Sequence, residues 1–132
     1  METVGLHHFN ITAPEELLEK VRDFYVEVLG LAVGARPDFT RKGFWLYAGR
    51  EPLVHLTACD ETDARTQEAA AQGFFDHIAF SCKGLVGIIE RLTRLNIPYE
   101  VDEVQTLRQV QLFLRDPAGV GVELNFFDET LA

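Results

Sequence analysis

Four residues that can bind a metal ion stand singly within short apolar stretches of this sequence. They are His8 in GLHHFNIT, His55 in PLVHLTA, His77 in GFFDHIAFSC and Glu123 in GVGVELNFF. Imidazole nitrogens and carboxylate oxygens are common protein ligands of divalent first-row metals. A lone histidine in a strand is most often an ordinary core or edge residue. The chemistry therefore depends on whether these four side chains meet.

The spacing of the four residues indicates an internal duplication. His77 follows His8 by 69 positions (77 minus 8), and Glu123 follows His55 by 68 positions (123 minus 55). One nearly constant shift relates both pairs, as expected for a repeated structural module. Each half of the chain would then contribute one pair of metal-capable residues.

Hydrophobic periodicity predicts the same order of elements in both halves, namely a strand, a helix and three further strands. Strands are predicted over residues 5–12, 31–36, 43–49, 52–58, 73–82, 98–104, 108–116 and 119–127. The predicted helices cover residues 12–30 and 83–96, and Thr12 and Glu15 have the spacing of a capping box. The sequence therefore predicts one module over about residues 5–58 and a second over about 73–127, joined by a polar linker over 59–72.

Strand alternation places each metal-capable residue on the polar side of its strand. Successive side chains of a strand point to opposite faces, so His8 shares a face with Asn10, and His7 shares the other with Phe9. A sheet curled with its helices outside would gather the four residues on its inner face. A divalent cation would then compensate the cost of burying Glu123. A hydrogen-bonded core without metal and a pocket for an organic ligand remain open alternatives.

Other residues at inward positions are candidates for substrate contact. The alignment of the two halves sets Trp45 opposite Gln111 and Tyr47 opposite Phe113. Core packing explains the three aromatic residues equally well. Two asparagines, Asn10 and Asn125, lie two residues beyond predicted ligands. Asp76 falls on the other face of its strand and is predicted to be a surface charge.

Composition narrows the class of protein. A chain of 132 residues fits a single domain, and a hydrophobic fraction of 47% is typical of a globular protein. The net charge of -9 disfavours a nucleic-acid partner and an anionic membrane surface. No apolar run is long enough to span a bilayer, and two cysteines are too few for a disulfide framework. We therefore expect a soluble, cytoplasmic protein.

Three motifs occur in a fixed order along the chain: HHFNI at residues 7–11, DHIAF at 76–80 and RDPAGVGVEL at 115–124. In this order the chain resembles the vicinal oxygen chelate superfamily. This superfamily includes glyoxalase I, fosfomycin-resistance transferases, methylmalonyl-CoA epimerase, extradiol dioxygenases and bleomycin-resistance proteins. The likeness covers about residues 5–127 and implies an α+β fold. Two βαβββ modules would form a cupped, eight-stranded half-open barrel, with its helices outside, around one divalent ion of nickel, cobalt, zinc, manganese or iron.

The resemblance also implies roles for the four residues. His8, His77 and Glu123 match the family's metal ligands on the first, fifth and last strands. The fourth-strand position, often glutamate or glutamine in the family, is His55 here. His55 is therefore expected to be either a fourth ligand or a base beside the metal, and His55 or Glu123 would move the substrate proton.

The function predicted from this resemblance is that of a metal-dependent, glyoxalase-like lyase, isomerase or transferase. Its small substrate would chelate the metal through neighbouring oxygens. One alternative is an extradiol ring-cleaving dioxygenase with a ferrous ion held by two histidines and Glu123. Another is a drug- or metabolite-binding protein without catalysis. Relatives of this length commonly complete the cup across a two-fold interface, so a homodimer is expected.

Overall fold

The computed structural model describes residues 1–60 and 74–131. It divides into two compact units, Met1–Gln72 (unit 1) and Gly73–Ala132 (unit 2). Within the described residues, each unit contains one α-helix and one four-stranded mixed sheet. The duplicated strand–helix–three-strand order predicted from the sequence is confirmed. Most of the predicted linker, residues 61–72, lies outside the described residues, whereas its first residue, Cys59, ends a strand of unit 1.

Unit 1 contains the elements β1 (Phe9–Pro14), α1 (Glu15–Glu27), β2 (Ala32–Gly34), β3 (Gly43–Ala48) and β4 (Glu51–Cys59). The strand order in its sheet is β1-β4-β3-β2. β1 runs parallel to β4, and the remaining pairs are antiparallel. In this register His55 lies between Asn10 on one side and Trp45 on the other. The middle of the sheet is thus the place where candidate residues from different strands come together.

Unit 2 contains β5 (His77–Cys82), α2 (Leu85–Arg94), β6 (Glu100–Val104), a 3₁₀ turn (Gln105–Leu107), β7 (Gln109–Arg115) and β8 (Gly121–Phe127). Its strand order is β5-β8-β7-β6, the same arrangement as in unit 1. β5 runs parallel to β8. Across β7 and β8, Gln111 lies opposite Asn125 and Phe113 opposite Glu123. The two units therefore present their candidate residues on equivalent strands.

The core of unit 1 lies between α1 and the apolar face of its sheet. Residues at three- and four-residue steps along α1 form one buried stripe: Leu18, Val21, Phe24 and Tyr25. α1 packs against β1, β3 and β4. The sheet buries Leu46, Val54 and Leu56 completely. This apolar contact leaves the opposite, polar face of the sheet for the candidate site.

The predicted capping box at the start of α1 is not formed. Thr12 lies within β1, which continues to Pro14 and pairs with β4 as far as Cys59. Pro14 occupies the N-cap, and no side chain caps the helix. The hydroxyl of Thr12 instead accepts a hydrogen bond from the Asn10 side-chain amide at 2.9 Å. Because the strand runs directly into the helix, Thr12 cannot turn back toward the first helical amides.

A residue distant in the sequence caps the second helix. The carboxylate of Glu129 accepts hydrogen bonds from the backbone amides of Gly84 and Leu85 at 2.9–3.1 Å. An anion at a helix N-terminus satisfies free amides and complements the helix dipole. This contact ties the segment after β8 to the start of α2. Neither helix in the described ranges is long and apolar enough to cross a membrane.

Gly43, at the start of β3, is packed too closely for a side chain. A Cβ atom there would lie 2.0 Å from the Leu56 carbonyl oxygen and 2.8 Å from Nη2 of Arg36. Overpacking of this kind typically costs about 1–3 kcal/mol. We therefore expect Gly43→Ala to lower the free energy of unfolding by about that amount in urea denaturation.

A matched control is available in α2. A Cβ at Gly87 would meet no atom within 4 Å, and replacing a glycine inside a helix by alanine gains about 0.5–1 kcal/mol. Gly87→Ala should therefore be neutral or stabilising. Equal losses of stability in both variants would contradict the packing assigned to Gly43.

Candidate functional site

Three rings stack face to face on the polar side of the sheet in unit 1. The Trp45 and His55 ring centroids lie 4.2 Å apart with planes 12° apart. His8 stacks on the other face of His55, at 3.8 Å and 14°. Trp45 lies opposite His55 in the β3–β4 pairing, while His8 directly precedes β1 on the far side of β4. The sheet therefore brings two of the four predicted metal ligands into contact.

His55 is buried, and one of its nitrogens has no hydrogen-bond partner among the residues that the structure describes. The residue is 8% exposed, and its Nε2 atom is buried without a hydrogen bond. Burial lowers the pKa of His55, and charge on His8 lowers it further, while a hydrogen bond to the Pro52 backbone acts in the opposite direction. The pKa shift favours a neutral ring. A neutral ring that donates to Pro52 through Nδ1 keeps a free lone pair on Nε2.

The stacking restricts how His8 and His55 can bind one metal ion. An imidazole nitrogen binds a metal at about 2.0–2.1 Å, with the ion close to the ring plane. The His8 and His55 planes are nearly parallel and overlap at 3.8 Å, so one ion cannot lie in both planes. As stacked, one ring can be a ligand while the other stands beside the ion.

His7 occupies a position that strand alternation did not predict. Its Nδ1 atom lies 2.7 Å from Nδ1 of His8, so one of the two rings donates a hydrogen bond to the other. His7 was expected to share a face with Phe9, but β1 begins only at Phe9. Because residues 5–8 precede the strand, the two-residue alternation does not apply to them. Because Nδ1 of His8 is in contact with His7, Nε2 is the ring nitrogen of His8 that lies outside this contact.

Unit 2 brings together the other two predicted ligands. Nε2 of His77 lies 3.7 Å from Oε1 of Glu123. Two ligands bound at about 2.1 Å to one ion lie about 3.0 Å apart at a right angle and about 3.4 Å apart in a tetrahedron. The pair therefore needs only a small approach to share an ion. The Phe113 ring contacts the His77 ring edge-on, with the two ring centroids 6.2 Å apart.

Side-chain amides surround the carboxylate of Glu123, which is only 8% exposed. Asn125 donates from Nδ2 to Oε2 at 2.7 Å, and Gln111 donates from Nε2 to Oε1 at 3.3 Å. Gln111 and Gln109 also donate to Oδ1 of Asn125. These donors stabilise a buried carboxylate. Burial alone therefore does not require a metal ion beside Glu123.

The four predicted ligands form two pairs of contacting side chains, His8 with His55 and His77 with Glu123. Within residues 1–60 and 74–131, no group of three or more His, Cys, Asp or Glu side chains is arranged to hold a metal ion. The donor chemistry nevertheless suits a divalent ion. Each pair offers imidazole or carboxylate atoms, and Nε2 of His55 is a buried nitrogen without a partner.

The predicted substrate-contact residues have different surroundings. Trp45 and Phe113 contact the candidate histidines, and Gln111 and Asn125 contact Glu123. Asn10 is engaged within unit 1, where its Oδ1 accepts a hydrogen bond from the Thr57 hydroxyl at 2.8 Å. Tyr47 donates from its hydroxyl to the Ala35 carbonyl.

Two charged residues, Asp76 and Arg36, lie near candidate side chains or the aromatic residues beside them. Asp76 is exposed, as expected, but its Oδ2 atom lies 2.7 Å from Nδ1 of His77. The Arg36 guanidinium lies 4.9 Å over the Phe39 ring, and Phe39 lies 6.2 Å from Trp45. For Asp76 the sequence did offer a signal of this contact, because Asp76 directly precedes the candidate ligand His77. For Arg36 the sequence offers none, because its position depends on the loop between β2 and β3.

Beside His77, unit 2 has a cavity of about 550 Å³. Its lining includes Asp76, His77, Tyr99, Glu100, Phe113 and Arg115. This volume lies within the usual range of small-molecule sites, about 300–1,000 Å³. The cavity thus combines aromatic surface with charged groups of both signs next to a candidate ligand.

Comparison with known families gives a match over most of the chain. The family model of the Glyoxalase/Bleomycin resistance protein/Dioxygenase superfamily matches residues 5–124. The family resemblance inferred from the three sequence motifs is thereby confirmed. No curated protein sequence matches the chain.

Several solved structures share the fold at low sequence identity. A glyoxylase/bleomycin resistance protein/dioxygenase domain from Frankia sp. EAN1pec is 19% identical, with a TM-score of 0.71 over 96% of this chain and 93% of that one. Lactoylglutathione lyase from Agrobacterium tumefaciens is 21% identical, with a TM-score of 0.64 over 95% of both chains. A mutant of the fosfomycin resistance protein FosX from Listeria monocytogenes, complexed with Mn(II) and 1S,2S-dihydroxypropylphosphonic acid, is 15% identical. Its TM-score is 0.68 over 98% of this chain and 95% of that one.

The lowered pKa of His55 predicts how stability depends on pH. In the unfolded chain a histidine titrates near pH 6.5, while in the folded protein His55 titrates lower. Between the two pKa values the unfolded chain binds more protons, so the free energy of unfolding falls as pH falls below about 6.5. We expect His55→Gln to lose less stability than the wild type between about pH 7.5 and about pH 5.5 in urea denaturation. The same pH dependence in both proteins would contradict this assignment.

Proposed function

Because the chain belongs to the Glyoxalase/Bleomycin resistance protein/Dioxygenase superfamily, we propose that it is a metal-dependent lyase, isomerase or transferase of glyoxalase type. Its small substrate chelates a divalent ion through neighbouring oxygens. The observation that carries the proposal is the pair in unit 2, where Nε2 of His77 and Oε1 of Glu123 face each other at 3.7 Å. The proposed cofactor is one divalent ion per site.

The proposed ligands are His8, His77 and Glu123, with His55 beside them. A divalent ion held there would supply Lewis-acid stabilisation of charge on the substrate's oxygens. His55 is assigned to proton transfer rather than coordination because it is stacked parallel to His8. Its neutral Nε2 can accept a proton, and the rings of Trp45 and His8 on its two faces hold that atom in a fixed direction.

The rest of the chain would bind and orient the substrate. Trp45 and Phe113 provide aromatic surface next to the candidate histidines. The cavity beside His77 offers the volume that a small substrate needs. The cavity would hold the substrate beside His77 and reduce its contact with water.

A second candidate function is ring cleavage by an extradiol-type dioxygenase. The stacking of His8 on His55 favours it, because a single histidine from unit 1 leaves a set of two histidines and one carboxylate. That set is typical of non-heme ferrous oxygenases. Iron content and oxygen uptake with catechols would separate this candidate from the first. A binding protein without catalysis would retain neither stoichiometric metal nor turnover.

The first experiment is metal analysis followed by a substrate panel. Suitable substrates are 2-oxoaldehyde–thiol adducts, acyl-CoA epimers, fosfomycin and catechols. Mn²⁺ is a sensible first ion, because the FosX relative was crystallised with Mn(II). Turnover of one compound class by the metal-loaded protein would establish the reaction.

Loss of predicted ligands should weaken metal binding. We expect His77→Ala and Glu123→Ala each to lower affinity for Mn²⁺ or Zn²⁺ by at least about tenfold, because each removes a direct ligand. Isothermal titration calorimetry would measure the affinity. Glu103→Ala, which removes an exposed carboxylate of unit 2, is the control and should bind as the wild type does. Full occupancy in the His77→Ala, Glu123→Ala double variant would refute the site.

The role of His55 can be separated in the same assay. If His55 is a base, His55→Ala and His55→Gln should keep the metal and lose turnover by about 10²–10⁴-fold. If His55 is a ligand, His55→Ala should lose affinity and His55→Gln should retain much of it. Undiminished turnover in His55→Ala would remove this residue from the mechanism.

A homodimer with shared sites is the proposed working assembly. The first and fifth strands, β1 and β5, each pair with a single strand of their own sheet, so each has an edge able to accept another strand. We expect a chain carrying His8→Ala with His55→Ala to regain activity when it is mixed with a chain carrying His77→Ala with Glu123→Ala. Sedimentation would first verify mixed dimers. Dimers without recovery would mean that each chain builds its own site.

A further inference from the structure

The atoms of His77 and Glu123 that face each other are not the ones that make the shortest contacts with other residues. Each side chain has two polar atoms that could bind a metal. On His77, Nδ1 contacts Asp76 at 2.7 Å while Nε2 faces Glu123. On Glu123, Oε2 accepts the 2.7 Å hydrogen bond from Asn125, while Oε1, which accepts a longer one from Gln111 at 3.3 Å, faces His77. The contacts that His77 and Glu123 make with other residues therefore influence which of their atoms face each other.

Asp76 determines which nitrogen of His77 carries the proton. An ionised carboxylate can only accept hydrogen bonds, so the 2.7 Å contact requires a proton on Nδ1. A neutral ring protonated at Nδ1 has its lone pair on Nε2. Without a partner, a neutral histidine in water favours the opposite tautomer, with its proton on Nε2. That tautomer would direct a proton, rather than a lone pair, toward Glu123.

The backbone keeps Asp76 and His77 close to β8. Gly121 lies opposite His77 in the parallel β5–β8 pair. A Cβ atom at Gly121 would lie 2.4 Å from the Asp76 carbonyl oxygen and 3.0 Å from the His77 Cβ atom. Only glycine permits this approach. Among the described residues, Asp76 forms an ion pair with His77 alone.

We infer that Asp76 is a positioning residue. Its carboxylate holds the Nδ1–H tautomer of His77 and so presents Nε2 as the metal-binding atom. The part of this inference that concerns metal binding rests on the proposed function, whereas the part that concerns the tautomer of His77 does not. Histidine ligands commonly donate their second ring N–H to a carboxylate, and loss of that partner typically lowers metal affinity by about 10–100-fold.

The tautomer can be measured without metal. Two-bond ¹H–¹⁵N spectra of ¹⁵N-labelled, metal-free protein, recorded where His77 is neutral, distinguish a protonated from an unprotonated ring nitrogen. We expect Nδ1–H in the wild type and a shift toward Nε2–H in Asp76→Ala. Asp76→Asn should be intermediate, because its amide oxygen accepts the same bond without a charge. Glu90→Ala, which removes an exposed carboxylate from α2, is the matched control.

Metal affinity tests the functional consequence. Asp76→Ala should weaken binding of Mn²⁺ or Zn²⁺ by about 10–100-fold, and Asp76→Asn should weaken it less. Asp76 should affect metal affinity only by way of His77. In a His77→Ala background, Asp76→Ala should therefore change the affinity no further. Because the Asp76 side chain is 86% exposed, its removal should leave the thermal unfolding midpoint close to that of Glu90→Ala.

Two results would overturn the inference. One is an unchanged His77 tautomer in Asp76→Ala. The other is an equal loss of metal affinity from Asp76→Ala with and without His77, because that would reflect general charge alone. A wild-type protein that binds no divalent ion would refute the proposed function, and the tautomer measurement would still decide the role of Asp76.

Discussion

The parallel pairing of the first strand with the fourth in each unit is the constraint on which the candidate site depends. β1 pairs with β4, and β5 pairs with β8. These strand pairings bring together residues that lie more than 40 positions apart in the sequence, namely His8 with His55 and His77 with Glu123. A parallel pair needs a crossover connection, and α1 and α2 lie within these connections. The buried apolar face of α1 therefore supports the polar pair on the other face of the sheet in unit 1.

Periodicity predicted the backbone of this arrangement because it reports on burial. The alternation in β4 and β8 identified His55 and Glu123, and both are buried on the site face of their sheets. The sequence could not show that β1 begins at Phe9, which places His7 and His8 outside the alternating pattern. Nor could it show the helix cap formed by Glu129 or the close packing at Gly43, because both depend on long-range contacts.

The surroundings of Glu123 change the argument for a metal ion. From the sequence, a buried carboxylate implied a compensating cation, whereas in the structure Asn125 and Gln111 already donate to both oxygens. Hydrogen bonds from neutral amides satisfy the carboxylate oxygens without placing an opposite charge beside them. They also restrict its rotation, so the oxygen nearer His77 keeps one direction. An oriented carboxylate oxygen whose donors are neutral suits a metal site better than one already paired with a cationic side chain would.

His55 presents the complementary problem, because the family resemblance implies glutamate or glutamine at its position. A carboxylate between Trp45 and His8 would lose hydration against two ring faces, whereas an imidazole gains stacking contact with both. Burial of the ring lowers the pKa of His55, and charge on His8 lowers it further. The stacking prevents His55 and His8 from sharing one ion within their ring planes. At this position unit 1 therefore has a stacked imidazole whose lowered pKa favours the neutral form, and as stacked only one of His8 and His55 could bind a given ion.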